Sequence, residues 1–332
     1  MRVAALLLTT TLLAAPQDVV QPPQQPPFEE WLQGVIDEAR SRGYSDELIG
    51  QTLTGLTPIS RVVERDSSQA EFTITLDRYF NTRVTPRIIR MGREHAMQEQ
   101  MLLRRVRAEY GVPSGIVLAI WGLESHYGQF TGAYPVFQAL ATLAYEPRRA
   151  DFFRGELFKA LSIVQSGFID AKTMTGSWAG AMGQPQFMPS SYLAYAVDFD
   201  DDGRRDIWHS KADTLASIAS YLKNAGWEAG QTWGREVTVS SAAREKIASI
   251  PIRDVGCSAK RQMTERRPLS DWSEAGVRLK SGAALPRADV VASLVEVGGR
   301  SFLVYPNYET ILDYNCAHLY ALSVGMLADR LH

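Results

Sequence analysis

Glu124 closes the most apolar stretch of the chain, the run from Ile116 to Trp121 followed by Gly122-Leu123. A carboxyl group set against hydrocarbon is dehydrated, which disfavours its charged form and lifts its pKa toward the range in which it can donate a proton near neutral pH. A helix-end Glu pointing at solvent is the alternative that the pattern leaves open. Further along, Trp178 to Tyr192 carries Gly180, Gly183, Pro185, Pro189 and the amide of Gln186 between two helical segments. That composition suits a loop whose backbone and Gln186 approach a ligand closely, and it equally suits a packed connection.

A third cluster runs from Asp198 to Asp206. Carboxylates at Asp198, Asp200, Asp202 and Asp206, with Gly203 at the sixth position and the Arg204 carbonyl at the seventh, follow the spacing of a calcium-binding EF-hand loop. The closing Glu is missing and His209 stands in its place. Acids this close repel one another unless a cation or the Arg204-Arg205 pair neutralises them, so the loop is either a structural calcium site or a solvated acidic turn. Asp213 is either a late closing ligand or the N-cap of the next helix. The two cysteines, Cys257 and Cys316, belong to no metal-ligand spacing. In an exported chain such a pair forms a disulfide more often than two free thiols.

The elements that must position these residues are mainly helical. Apolar residues recur at helical spacing from Trp31 to Ala39, Gly43 stops that run, and Ser45-Asp46-Glu47 starts another. One helix is expected from Ile88 to Tyr110, stopped by Gly111, and another from Gly115 to Glu124 with Ser114 as its N-cap. The second is apolar on every side and should be central. Helices are also expected over 154–165, 214–224 and 316–331. Strands are expected at 237–239, 277–279, 292–297 and 301–305, the last two as a hairpin across Gly298-Gly299.

Composition bounds the rest. With 332 residues, 45% apolar, the chain can bury a sizeable core, and a net charge of −2 without basic runs argues against nucleic acid as a partner. Arg2 followed by the apolar run from Val3 to Ala15 reads as a signal peptide over 1–15, with a short membrane anchor as the alternative. No cysteine near its end offers a site for lipidation. Residues 16–27 form a Pro/Gln-rich linker.

Several blocks together resemble the lytic murein transglycosylase B family: Glu124-Ser125-His126-Tyr127-Gly128, Ala139 to Tyr145 with Pro147-Arg148-Arg149, Gly180-Ala181-Met182-Gly183, Gln186 to Tyr192, Arg267-Pro268-Leu269 and Tyr314 to His318. The resemblance implies an α+β, mainly α fold with a helical subdomain at 28–110 and a lysozyme-like catalytic core at 111–232. A small late β subdomain comes next, at 233–310, and a C-terminal helix at 311–332 returns to the core. It also implies a soluble, periplasmic enzyme acting on peptidoglycan glycan strands and meeting other cell-wall synthesis or remodelling proteins, with calcium but no organic cofactor.

Residue by residue, Glu124 matches the family's single acid and base, which cleaves between N-acetylmuramic acid and N-acetylglucosamine and leaves a 1,6-anhydro end. Ser177, Gln186, Tyr221, Tyr314, Asn315, Tyr320 and Tyr79 match positions lining the sugar cleft, whereas Phe152 replaces a Tyr. The family's longer calcium loop makes Asp213 the closing ligand. Arg148 and Arg149 suit either substrate carboxylates or ion pairs with Glu146 and Asp151. An ordinary glycosidase needs a second carboxylate opposite the acid, and none has a context as persuasive as that of Glu124. A hydrolytic muramidase and a non-catalytic wall binder are the competing readings.

Overall fold

The computed structural model describes residues 25–67 and 74–331. The expected signal peptide, and the linker as far as residue 24, lie outside them. Among the described residues, no helix is long and apolar enough to cross a membrane.

The chain opens with helices α1 (Phe28–Ser41), α2 (Asp46–Thr52), α3 (Ser60–Ser67), α4 (Leu76–Arg83), α5 (Pro86–Gln98), α6 (Gln100–Tyr110) and α7 (Ser114–Ser125). Ser45 caps α2 as its sequence implies, its hydroxyl accepting from the Leu48 N–H. Two expectations need correction. The single helix expected over 88–110 breaks at Glu99, which leaves the helical region and separates α5 from α6. Ser114 is the first residue of α7 rather than its cap, because Pro113 occupies the cap position and no side chain bonds there.

After α7 come β1 (Tyr134–Pro135), α8 (Val136–Tyr145), α9 (Ala150–Gln165), β2 (Thr175–Gly176), α10 (Pro189–Tyr195) and α11 (Lys211–Asn224). The last part holds β3 (Gly234–Thr238), α12 (Ser241–Ile247), β4 (Arg267–Pro268), α13 (Leu269–Ala275), β5 (Arg278–Leu279), β6 (Val291–Val297) and β7 (Arg300–Val304). Then α14 (Pro306–Tyr314) precedes α15 (His318–Ala328), which lies within the helix expected over 316–331. The five-stranded sheet is antiparallel, in the order β4-β6-β7-β3-β5, and its central hairpin pairs Val295 with Phe302. The glycines at its turn, Gly298 and Gly299, both take the positive φ that a tight two-residue hairpin requires.

Three apolar cores result. α7 is buried along its length except at Glu124 and its first residue, and packs with α4–α6, α11, α14 and α15. A second core joins α1–α3 to α8–α10, so the helices of residues 28–110 serve two cores. The third lies under the sheet around Trp272. Cys257 and Cys316 are bonded, tying the sheet region to the segment between α14 and α15.

The core around α7 is close-packed where α15 passes Trp233: a Cβ added at Gly325 would lie 2.3 Å from the indole. Trp233 is itself buried and donates to Asp329 at 3.3 Å, so it cannot swing aside freely. Gly325→Ala is therefore expected to destabilise the protein by about 1–3 kcal/mol through overpacking, read as a lower urea midpoint at unchanged m-value.

Candidate active site

The site starts from one physical fact, that α7 has no polar face. Its side chains are buried from Gly115 to Leu123, and Glu124 is the first that is partly exposed. Burial lifts the Glu124 carboxyl to about 7. The Tyr320 hydroxyl faces that carboxyl and opposes the rise, as does the charge of Arg83. The hydroxyl stands outside ordinary hydrogen-bond geometry and has no other partner. Among the described residues, no second carboxylate acts on Glu124.

The turn that ends α7 is strained. His126 and Tyr127 both take the left-handed conformation, at φ 50° and 60°, which costs roughly 1–2 kcal/mol per residue without glycine. His126 thus sits on the turn that caps α7 and not on the helix of Glu124. Tyr127 holds the turn: its hydroxyl donates to the Ile88 carbonyl at 3.0 Å, and its ring meets Trp121 edge-on at 5.3 Å. Gly122 makes room for it, because a Cβ there would lie 2.6 Å from the Tyr127 ring.

A row of aromatic rings leads away from Glu124. Tyr320 and Tyr314 are near parallel at 6.5 Å, Tyr314 meets Tyr221 at 4.7 Å, and Tyr221 meets Tyr195 at 4.6 Å. The Tyr221 and Tyr314 hydroxyls donate to the carbonyls of Asp313 (2.5 Å) and Pro185 (2.6 Å). Their protons are committed, so they offer a ligand ring surface. Tyr79 is close enough to affect Tyr320 electrostatically. Tyr79, Asn315 and Tyr320 line a cavity of about 390 Å³ with Gln262 and Glu296.

The loop between β2 and α10 folds back on itself. Met182 bridges both Gly176 and Phe187, and the Ser177 N–H donates to the Ala181 carbonyl at 2.7 Å. The Ser177 hydroxyl accepts from the N–H groups of Ala179 and Ala181, which leaves its own proton to give. Gln186 is held at φ 52°, and its amide nitrogen donates to the carbonyls of Thr131 (3.0 Å) and Gly183 (2.9 Å). Its amide oxygen is the part left for a ligand. Gln184 is a residue whose role the sequence did not reveal: it accepts from the Trp121 indole at 2.8 Å and donates to the Trp208 carbonyl at 2.8 Å. It clasps the helix of Glu124 to the Gln186 loop and the acidic loop together.

In the acidic loop, ligand atoms of Asp198, Asp200 and Asp202 lie within 4.8 Å of one another. Asp213 is buried, accepts from the N–H groups of Phe199 and Asp206 at 2.7 Å each, and is pushed up to about 6 by burial, with Asp200 and Asp198 adding to the rise. Ser210, not Asp213, caps α11. Asp206 instead receives Trp208 N–H, His209 N–H and the His209 ring, which holds both it and His209 by local bonds. Three clustered carboxylates are hard oxygen donors, a set that fits calcium, and the charges of two of them act on Asp213.

Two predicted residues stand apart from this group. Arg148 binds Asp66, both as an ion pair and through the Asp66 carbonyl at 2.9 Å, and not Glu146 or Asp151. Arg149 lies over the rings of Phe152 and Phe153. Tyr195 and Arg83 are neighbours of the site that sequence reasoning missed. Neither carries a local signal, since only the fold brings them to Tyr221 and Glu124.

A mostly helical, lysozyme-like scaffold presenting one dehydrated acid beside a tyrosine-lined groove is the architecture of the lytic transglycosylases. Over residues 27–329 the chain matches the transglycosylase SLT domain, and it belongs to that family. The membrane-bound lytic murein transglycosylase B of Escherichia coli (strain K12) is 34% identical over 260 residues, which is 76% of this chain and 66% of that protein. SltB3 from Pseudomonas aeruginosa, solved in complex with NAG-anhNAM-pentapeptide, matches at 41% identity with a TM-score of 0.83, over 92% of this chain and 79% of that one. The Escherichia coli lytic transglycosylase Slt35, solved in complex with calcium, matches at 29% identity with a TM-score of 0.76, over 90% and 92% of the two chains.

The raised Glu124 carboxyl has a consequence for stability. Unfolded, it titrates near 4.5; folded, near 7. The fold therefore binds the proton more tightly, and this group costs the protein stability as pH rises through that window. Glu124→Gln keeps the neutral shape at every pH. Its melting temperature should match that of the parent near pH 4.5 and exceed it by a few degrees at pH 8, on the order of 1–2 kcal/mol given partial solvent access. A pH-independent difference would contradict the dehydration.

Proposed function

We propose that the protein is a peptidoglycan lytic transglycosylase in which Glu124 acts first as acid and then as base. The observation that carries this reading is the solitude of Glu124. It is dehydrated, half-protonated near pH 7, and without a second carboxylate beside it among the described residues. A hydrolase of the two-carboxylate type needs a partner to activate water or to act as nucleophile. With one acid, the attacking group must come from the substrate. Protonated Glu124 gives its proton to the glycosidic oxygen as the bond to the muramoyl C1 breaks. The resulting carboxylate takes the proton of that sugar's own C6 hydroxyl, which closes onto C1 and leaves a 1,6-anhydro end. Because the C6 hydroxyl and C1 belong to one sugar, the second step is intramolecular, and orientation replaces a nucleophile from solution.

The other residues bind and orient. Tyr320, Tyr314 and Tyr221 present ring surface to sugar rings, with Tyr79 and Asn315 beyond Tyr320. The Gln186 oxygen accepts and the Ser177 hydroxyl donates, which suits the mixed donors and acceptors of acetamido sugars. That relatives are lytic murein transglycosylases, one solved with an anhydro-muramoyl fragment, supports the same substrate class. A role for Arg148 and Arg149 on substrate would require Arg148 to exchange Asp66 for it.

Asp198, Asp200, Asp202, the Arg204 carbonyl and Asp213 would hold a structural calcium ion. Bound there, the ion would neutralise the acids and stiffen the segment that Gln184 clasps to α7. Export to the periplasm agrees with the Cys257–Cys316 disulfide, since such bonds persist in oxidising compartments.

Muropeptides released from isolated sacculi should carry anhydromuramoyl ends, one water lighter than hydrolysed ends, by mass spectrometry. Glu124→Gln should lower the rate by about a hundredfold or more. Because the first step needs the protonated acid, kcat/KM should fall about tenfold per pH unit above pH 7. Reducing ends would instead mean hydrolysis. Calcium at about a hundred times its Kd should stabilise the protein by about 2.7 kcal/mol, measured as a rise in melting temperature that Asp200→Asn removes.

A further inference from the structure

Positive charge is unevenly placed along the chain. Residues 76–110, which make α4, α5 and α6, hold eight arginines and four acids, whereas the whole chain carries a net charge of −2. Two of those acids are engaged from outside these helices, Asp77 by Arg300 and Glu99 by Lys211. Among the described residues none of the eight arginines forms an ion pair: Arg93 and Arg105 donate to the carbonyls of Arg330 and Phe199, and Arg87 to the Gln129 amide oxygen. Helical spacing sets Pro86, Arg90, Arg93 and Met97 in one stripe along α5. Ile88 and Gly92, on the opposite side of that helix, are buried, and Tyr127 packs against them. With Ile89, Glu94 and Arg330 the stripe borders an open hollow of about 680 Å³. Met97, and Met101 at the start of α6, are 71% and 70% exposed, more than any other large apolar side chain among the described residues.

A face that meets only water gains nothing from this arrangement. Arginines one turn apart without acids repel one another, and large apolar side chains held in water beside them cost free energy too. Both costs are relieved at a bilayer with anionic headgroups, where guanidinium groups pair with phosphates and apolar side chains sink below them. A soluble anion calls for groups converging on one point, whereas Arg90, Arg93 and Met97 follow a line about 10 Å long, which suits a plane of headgroups. Glu94, the one acid bordering the hollow, stands on the flank of that line. We propose that the outer face of α5, with Met101 and Arg330 beside it, docks the protein on an anionic phospholipid surface. The hollow shares no residue with the cavity beside Tyr320, so the membrane contact and the sugar groove are separate surfaces. Docking depends on charge and exposure alone and not on the reaction proposed above.

The test sediments purified protein with vesicles. Phosphatidylcholine vesicles containing about one-third phosphatidylglycerol should carry it down, and phosphatidylcholine alone should leave it in solution. Binding should weaken as salt rises, because the attraction is screened. Arg90→Gln and Arg93→Gln should each weaken it about fivefold, and together about 25-fold. Met97→Ser should weaken it at every salt concentration, since that contribution is apolar. Arg90 is exposed and forms no hydrogen bond or ion pair among the described residues, so Arg90→Gln should keep the parent's melting temperature and its rate on soluble glycan fragments. No binding to the mixed vesicles, or binding that the double substitution leaves unchanged, would overturn the proposal. Absence of vesicle binding together with weaker binding of the same variants to isolated sacculi would also overturn it, and would assign the face to an anionic wall polymer.

Discussion

A helix with no polar face has one stable place, which is inside a ring of other helices, and α7 is such a helix. Everything at the site depends on that constraint. Wrapping α7 removes water from around its last turn, and the one carboxyl at that turn is consequently held protonated up to about pH 7. The same burial fixes the direction in which Glu124 emerges, because the helix cannot rotate without dragging Trp121 from its bond to Gln184. A reactive acid and a rigid support are thus two results of one packing arrangement.

The strain after α7 arises from the same need. The chain must leave a buried helix end at once if Glu124 is to face a groove, and two left-handed residues make that reversal. Tyr127 keeps it in place by burying its ring between His95 and Trp121 and by bonding to α5. On the other side of the groove, Gln184 connects α7 to the Gln186 loop and to the end of the acidic loop. Asp213 bonds to both Phe199 and Asp206 and so brings the two halves of that acidic loop together. The disulfide at Cys316 then restrains the segment just after Tyr314 and Asn315, from which the aromatic wall is built.

Much of this was legible in the residues. The apolar run announced α7 as central and Glu124 as its exceptional member, Ser45 announced the start of α2, and Gly298-Gly299 announced the hairpin. These are local signals, set by periodicity, caps and turns. The break at Glu99 was hidden because the residues on both sides of it are good helix formers. Arg148 was misassigned for a related reason: its acidic neighbours in sequence looked like partners, whereas the acid it binds, Asp66, arrives from α3.

The sequence by itself determined which helix must be buried, that a lone acid ends it, which loop has the spacing of a cation site, and to which family the motifs belong. Spacing along one chain is enough for those. Only the tertiary structure decided that Tyr320 faces Glu124, that the Tyr221 and Tyr314 hydroxyls are spent on backbone carbonyls, and that Asp213 is buried and bonded to the N–H groups of Phe199 and Asp206. Each of those depends on groups from distant parts of the chain competing for the same partner, and a one-dimensional pattern carries no record of which competitor wins.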